Sequence, residues 1–146
     1  MSYQHILVAV DLSNDADLIV EKAKTLASFY SASLMFVHVM EPVIQDSAYE
    51  MTPVLPVELQ ETLKQRAESF LKGLLQKHDL TATEYCLELG SIKTRLFQVV
   101  QDNNIDLIIL GTHGRHGFGL LMGSTANAVL HGTPCDVLAV KIPENV

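Results

Sequence analysis

Apolar and polar positions follow two rhythms along this chain, and the change from one to the other marks out its elements. Residues 5–10 (HILVAV) are apolar almost without a break, the pattern of a parallel strand covered on both faces. From Asn14 to Tyr30 the residues Ala16, Ile19, Ala23, Leu26, Ala27 and Tyr30 recur at three- and four-residue spacing, which predicts a helix with one buried stripe. Asn14 is placed to cap that helix, and Asp15 and Asp17 suit the positive end of its dipole. A second strand is predicted over 34–39. Residues 40–56 have no period and carry Pro42, Pro53 and Pro56, so this stretch reads either as a functional flap or as a mobile loop.

Helical spacing returns over 57–78, where Leu59, Leu63, Ala67, Phe70, Leu71, Leu74 and Leu75 fall on one side and Gly73 is a modest local cost. Over 82–89, Glu84, Cys86 and Glu88 alternate with Tyr85, Leu87 and Leu89, as in a strand near the edge of a sheet. Gly90 and Ser91 open a third helix with the stripe Ile92, Leu96, Val99 and Val100; residues 106–110 (DLIIL) form a fourth strand. A further helix is predicted from Ser124 to about Gly132, and the last strand runs from Asp136 to Ile142. Five strands joined by helices predict an α/β fold, a doubly wound parallel sheet in one domain over residues 1–146. The rhythm leaves the strand order open.

The segment after the fourth strand departs from both rhythms. Residues 111–123 hold five of the eight glycines in the chain. A glycine-rich turn at a strand tip lets backbone N–H groups approach an anion without Cβ interference. The helix start at Ser124 and Thr125 adds free N–H groups and two hydroxyls, and Arg115 adds a permanent cation. Glycines alone would only turn a surface loop; their coincidence with a strand tip and a Ser-Thr helix start favours a phosphate cradle. No Gly-Lys-Ser/Thr occurs, and the spacing Gly117, Gly119, Gly123 misses the dinucleotide fingerprint by one residue. In a sheet ordered 3-2-1-4-5 the first and fourth strands flank the topological switch point. Asp11 would then face the glycine loop, placed for Mg²⁺, a ribose or a water-mediated contact; the alternative is a cap of the first helix.

Composition narrows the partners. Hydrophobic residues make up 48% and charged residues 18% of 146 residues, enough for a sizeable core, and the formal charge is -7. Such a field repels nucleic acid and anionic membrane, so a phosphate site must be built locally and suits a small ligand. The N-terminal apolar run is broken by Asp11 and has no basic leader, and the chain reads as cytosolic, without a membrane span. Cys86 and Cys135 lie 49 positions apart and read as buried reduced thiols rather than a disulfide or a metal pair.

With ILVAVDLS at 6–13, HV at 38–39 and GTHG…GST…VL…CDVLAVK over 111–141, the sequence resembles the universal stress protein family over nearly its whole length. The resemblance implies an α/β fold of strand order 3-2-1-4-5, usually a homodimer, with ATP or AMP bound in some members. The nucleotide-binding members carry Gly-x2-Gly-x9-Gly-Ser/Thr; Gly111, Gly114, Gly123 and Ser124 match it, with eight residues rather than nine between Gly114 and Gly123. By the same resemblance Ala9, Val10 and Asp11 line the start of the cleft, and Val39 touches the adenine. Leu110 and Gly111 lie near the nucleoside, while Gly114, Arg115, Gly123, Ser124 and Thr125 meet the phosphates. Val39 as plain core is the alternative reading.

Six histidines are present: His5, His38, His78, His113, His116 and His131. His113 is expected to shape the glycine loop or contact ligand, and His38 to be a hydrogen-bonded packing residue. A zinc site from His113 and His116 with Cys135 and Asp136 lacks a closed four-ligand set. Ser124 sits outside any Gly-x-Ser-x-Gly elbow, so no catalytic residue is assigned. The leading expectation is a stress-associated nucleotide-binding protein acting as a ligand-sensing or protective dimer. Its alternatives are a slow ATPase or adenylate hydrolase, using Asp11 or His113 as base, and an interaction protein with an empty cleft. The apolar strand from Asp136 to Ile142 would end the sheet, and an unpaired edge of this kind invites its symmetry mate.

Overall fold

In a computed structural model, which describes residues 2–40, 57–112, 127 and 129–143, the uninterrupted apolar runs become central strands. The elements are β1 (His5–Ala9), α1 (Ala16–Tyr30), β2 (Ser33–Met40), α2 (Val57–Lys77), β3 (Glu84–Leu89), α3 (Ile92–Asp102), β4 (Leu107–Gly111) and β5 (Asp136–Val140). They form one five-stranded sheet in the order β3-β2-β1-β4-β5, with every neighbouring pair parallel. The order expected from the resemblance is the order found. No helix among the described residues is long and apolar enough to cross a membrane.

The alternation of β1 explains why its run is apolar throughout. Ile6 and Val8 pack on one face with Ile19, Val20, Ala23 and Ala27 of α1 and Leu71, Leu74 and Leu75 of α2. Leu7 packs on the other face with Leu96, Val99 and Val100 of α3, joined by Val37, Ile108, Leu110 and Val129. A strand with a helical layer on each side has no polar face to show. β3 lies at the edge and its residues are mostly half-buried, as its alternation predicts.

Three local expectations are corrected. Asn14 does not cap α1: the cap is Asp15, without a side-chain hydrogen bond, and the turn is held by the Ser13 carbonyl accepting from the Ala16 N–H at 3.2 Å. The C-terminal end of α1 closes with Ser31 in the left-handed region (φ 55°) and the Ala32 N–H donating to the Ala27 carbonyl at 2.9 Å, a Schellman-type stop. On α2, Leu59 and Leu63 are exposed, and the buried stripe begins only at Ala67. A 21-residue helix is about 31 Å long, whereas a strand of five to six residues spans about 17–20 Å, so the first turns of α2 overhang the sheet. Strand ends also move by one or two residues, because pairing with β4 rather than apolarity stops β5 at Val140.

Candidate functional site

β1 and β4 are adjacent and parallel, and a cleft lies at their C-terminal ends. Its walls are Ala9, Val10 and Asp11 after β1, Val37, His38 and Val39 of β2, and Leu110 and Gly111 of β4, with Ile19 of α1 and Ile92 and Leu96 of α3. The cavity measures about 80 Å³, well below the roughly 300–1,000 Å³ of small-molecule sites.

Six residues picked from the sequence therefore meet in one place: Ala9, Val10, Asp11, Val39, Leu110 and Gly111. The other six, His113, Gly114, Arg115, Gly123, Ser124 and Thr125, lie outside the described residues, as does most of the 40–56 stretch. The sequence reading missed Ile19, Val37, His38, Ile92 and Leu96 as cleft residues: a buried apolar side chain gives one signal, core, whichever side of it is open, and His38 was read as a packing residue.

Hydrogen bonds hold the mouth. The Val10 N–H donates to the Val37 carbonyl at 3.0 Å, and the Val10 carbonyl lies 2.8 Å from His38 Nδ1. A carbonyl only accepts, so Nδ1 carries the proton and donates. His38 is thus a hydrogen-bonded packing residue that ties the end of β1 to β2. Asp11 does not cap α1 directly: its Oδ1 accepts from both the backbone N–H and the hydroxyl of Ser13, bracing the turn that leads into the helix.

Gly111 has a steric reason to be glycine. A Cβ there would sit 3.0 Å from Ile19 Cδ1 and 3.2 Å from Ile142 Cγ1, closer than carbon atoms normally approach. The exit from β4 is pinned one residue on, where the Thr112 N–H donates to the Val140 carbonyl at 2.9 Å and Thr112 Oγ1 accepts from the Ile142 N–H at 3.1 Å. Among the described lining residues the polar side chains are Asp11 and His38, and none is a lysine or arginine. The described part of the cleft is thus largely apolar and carries no fixed cation.

Both cysteines are free and half-buried rather than fully buried. Burial, and then the Glu88 carboxylate, push the Cys86 thiol up to about 11, and burial also raises Cys135. They remain thiols near neutral pH and are poor nucleophiles.

A sequence model of the Universal stress protein family matches residues 2–141. The chain belongs to that family. Universal stress protein A homolog 1 of Coxiella burnetii is 36% identical over 144 residues, covering 99% of this chain and 100% of its own length. Among solved structures, the universal stress protein UspA from Lactobacillus plantarum superposes with a TM-score of 0.75 at 25% identity, covering 96% of this chain and 99% of that one. A universal stress protein solved in complex with cAMP superposes with a TM-score of 0.68 at 20% identity, over 97% of this chain and 98% of that one. At that identity the second likeness speaks for the fold alone.

Proposed function

We propose that this universal stress protein binds an adenine nucleotide, ATP or AMP, in the cleft between β1 and β4 and acts as a ligand-sensing or protective homodimer. One observation carries the reading: the apolar inner cleft lies at the topological switch point, between Asp11 and Gly111, where α/β sheets accept nucleotides. A family member solved with cAMP supports a nucleotide as the ligand class. In this reading the base occupies the cavity against Val39 and Leu110, and Asp11 meets the ribose or, through the nucleotide, Mg²⁺. His113, Gly114, Arg115, Gly123, Ser124 and Thr125 meet the phosphates. β5 supplies the dimer edge, and the setting is cytosolic.

Calorimetric titration with ATP, ADP, AMP and cAMP, with and without Mg²⁺, tests it. Binding that weakens in Ser124→Ala by roughly ten- to a hundred-fold, the worth of one charge-assisted hydrogen bond, supports the reading. No heat at millimolar ligand removes it and leaves an interaction protein with an empty cleft. A phosphate-release assay on the same samples separates binding from slow hydrolysis.

A further inference from the structure

His78 follows α2 directly and is buried at 7% relative exposure, between two carboxylates of α1. Its Nε2 lies 2.7 Å from Asp17 Oδ1 and its Nδ1 lies 2.8 Å from Glu21 Oε1. Two lysines complete the cluster. Lys77 Nζ donates to Asp17 Oδ2 at 2.8 Å, and Lys24 Nζ donates to the His78 carbonyl at 2.8 Å. Asp79 follows His78 in the turn after α2.

A neutral imidazole has one N–H, and ionised carboxylates only accept. Lys77 first, and His78 second, hold the Asp17 carboxyl below its ordinary range, so it is ionised near neutral pH. Only the imidazolium has a donor for each side. The charges of Asp17 and Glu21 are already matched in number by Lys24 and Lys77; the demand for a second ring proton comes from hydrogen-bond geometry, not from net charge. When that proton leaves, one ring lone pair faces a carboxylate oxygen at contact distance. Glu21, whose side chain is 64% exposed, is the partner free to swing into water.

We infer that His78 is a proton-dependent latch between the end of α2 and the first turns of α1, closed when its ring is doubly protonated and loosened when it is not. Its link to the ligand cleft is the backbone of α1: Ile19, two residues from each carboxylate and so on the opposite side of the helix from them, sets its Cδ1 against Gly111. Its effect on ligand affinity rests on the nucleotide reading above; the latch itself does not.

The test needs no ligand to begin. Histidine ring and isoleucine methyl resonances of the wild-type protein are followed from about pH 5 to 8, the interval in which imidazoles titrate, alongside thermal melts of wild type and Glu21→Gln. Glu21 is exposed, and a glutamine amide can donate to the ring lone pair, so this variant satisfies a neutral His78. The Ile19 methyl is expected to move in step with the His78 ring. The wild-type Tm is expected to fall by about 2–5 °C relative to Glu21→Gln as pH rises, since a neutral ring leaves the Glu21 carboxylate facing a lone pair, whereas the glutamine amide donates to it. Superimposable melting profiles, or an Ile19 methyl that stays still while His78 titrates, overturn the latch. ATP titrations at both ends of the range add a separate arm. Affinity that weakens several-fold at the higher pH in wild type but not in Glu21→Gln supports control of the cleft; pH-independent affinity overturns that control. If no nucleotide binds at either pH, the nucleotide reading fails, and the melts and resonances alone decide the latch.

Discussion

β1 and β3 belong to one sheet, two strands apart, yet they solve different problems. In β1, Ile6, Leu7 and Val8 are fully buried, and the strand is paired on both sides. In β3 the middle residues are half-buried, Glu84 and Leu89 are exposed, and one edge has no strand beside it among the described residues. β5, at the other edge, carries Asp136 as its only charge, and that carboxylate accepts from the Tyr3 hydroxyl at 2.8 Å. The cleft opens where both neighbours of a strand fix its position, which places Ala9, Val10 and Asp11 without help from a ligand. The two edges are then free to diverge. Glu84 and Glu88 make β3 a poor template for another chain, whereas the apolar run of β5 is a good one.

The contrast between centre and edge breaks first under truncation. Leu7→Ala removes a side chain enclosed between the sheet and α3 and is expected to cost about 2–5 kcal/mol. Leu87→Ala, on a half-buried side chain of β3, is expected to cost about 1 kcal/mol. Urea unfolding of both variants measures the difference. Equal losses would mean that β3 is as tightly enclosed as β1.

Prolines sharpen the same contrast within β5. The Val140 carbonyl accepts from Thr112, so the backbone groups of residue 140 point inward to β4, and those of Ala139 point to the outer edge. Val140→Pro deletes an inner ladder donor and leaves a β4 carbonyl unpaired, at about 1–3 kcal/mol. Ala139→Pro leaves the inner ladder intact. It is expected to melt near the parent but to sediment as a monomer where the parent is a dimer. A parent that is monomeric at micromolar concentration removes the dimer reading, and a dimeric Ala139→Pro moves the interface away from β5.

How much of this was legible beforehand depends on whether the deciding partner is near in sequence. The uninterrupted run of β1 and the alternation of β3 reveal their places in the sheet because each strand carries the signature of both its faces. The cleft at the tips of β1 and β4 was legible in two ways: Asp11 from the switch point of a sheet ordered 3-2-1-4-5, and Ala9, Val10, Leu110 and Gly111 from the family resemblance, and all five line it. The α1 cap was misread because Asn14, Asp15 and Ser13 are all plausible caps, and only the turn geometry chooses among them. The overhang of α2 was hidden because Leu59 and Leu63 continue the helical period past the end of the sheet that would cover them. The role of His78 was invisible because Asp17 and Glu21 lie 61 and 57 positions away, and no local period connects them.

Gly111 tests the centre at smaller cost. Alanine there would meet Ile19 and Ile142 at 3.0 and 3.2 Å, but both contacts are side-chain ends that can shift, so about 1–2 kcal/mol is expected. Ile19→Val removes the Cδ1 atom in the way. The double variant should therefore be about 0.5–1 kcal/mol more stable than the sum of the two single changes. Strict additivity, read from paired denaturation curves, would show that Ile19 does not crowd Gly111.

Gly73 is the opposite case and carries the smallest expected effect. It lies within α2 on an exposed face, and a Cβ built on it meets nothing within 4 Å. Glycine in a helix interior forfeits backbone entropy that alanine does not, at roughly 0.5–1 kcal/mol. Where no contact opposes the added methyl, Gly73→Ala should recover that difference, mainly by restricting the unfolded chain. For a chain of 146 residues this raises the Tm by about 1–4 °C. Nucleotide affinity should stay at the parent value, because Gly73 is absent from the cleft walls. The pair then separates two reasons for a glycine: at 111 the missing Cβ makes room for Ile19, and at 73 it makes room for nothing. A melt in which Gly73→Ala gains nothing would mean that α2 is not continuous through residue 73 in solution, since only a helical backbone makes alanine the better residue there.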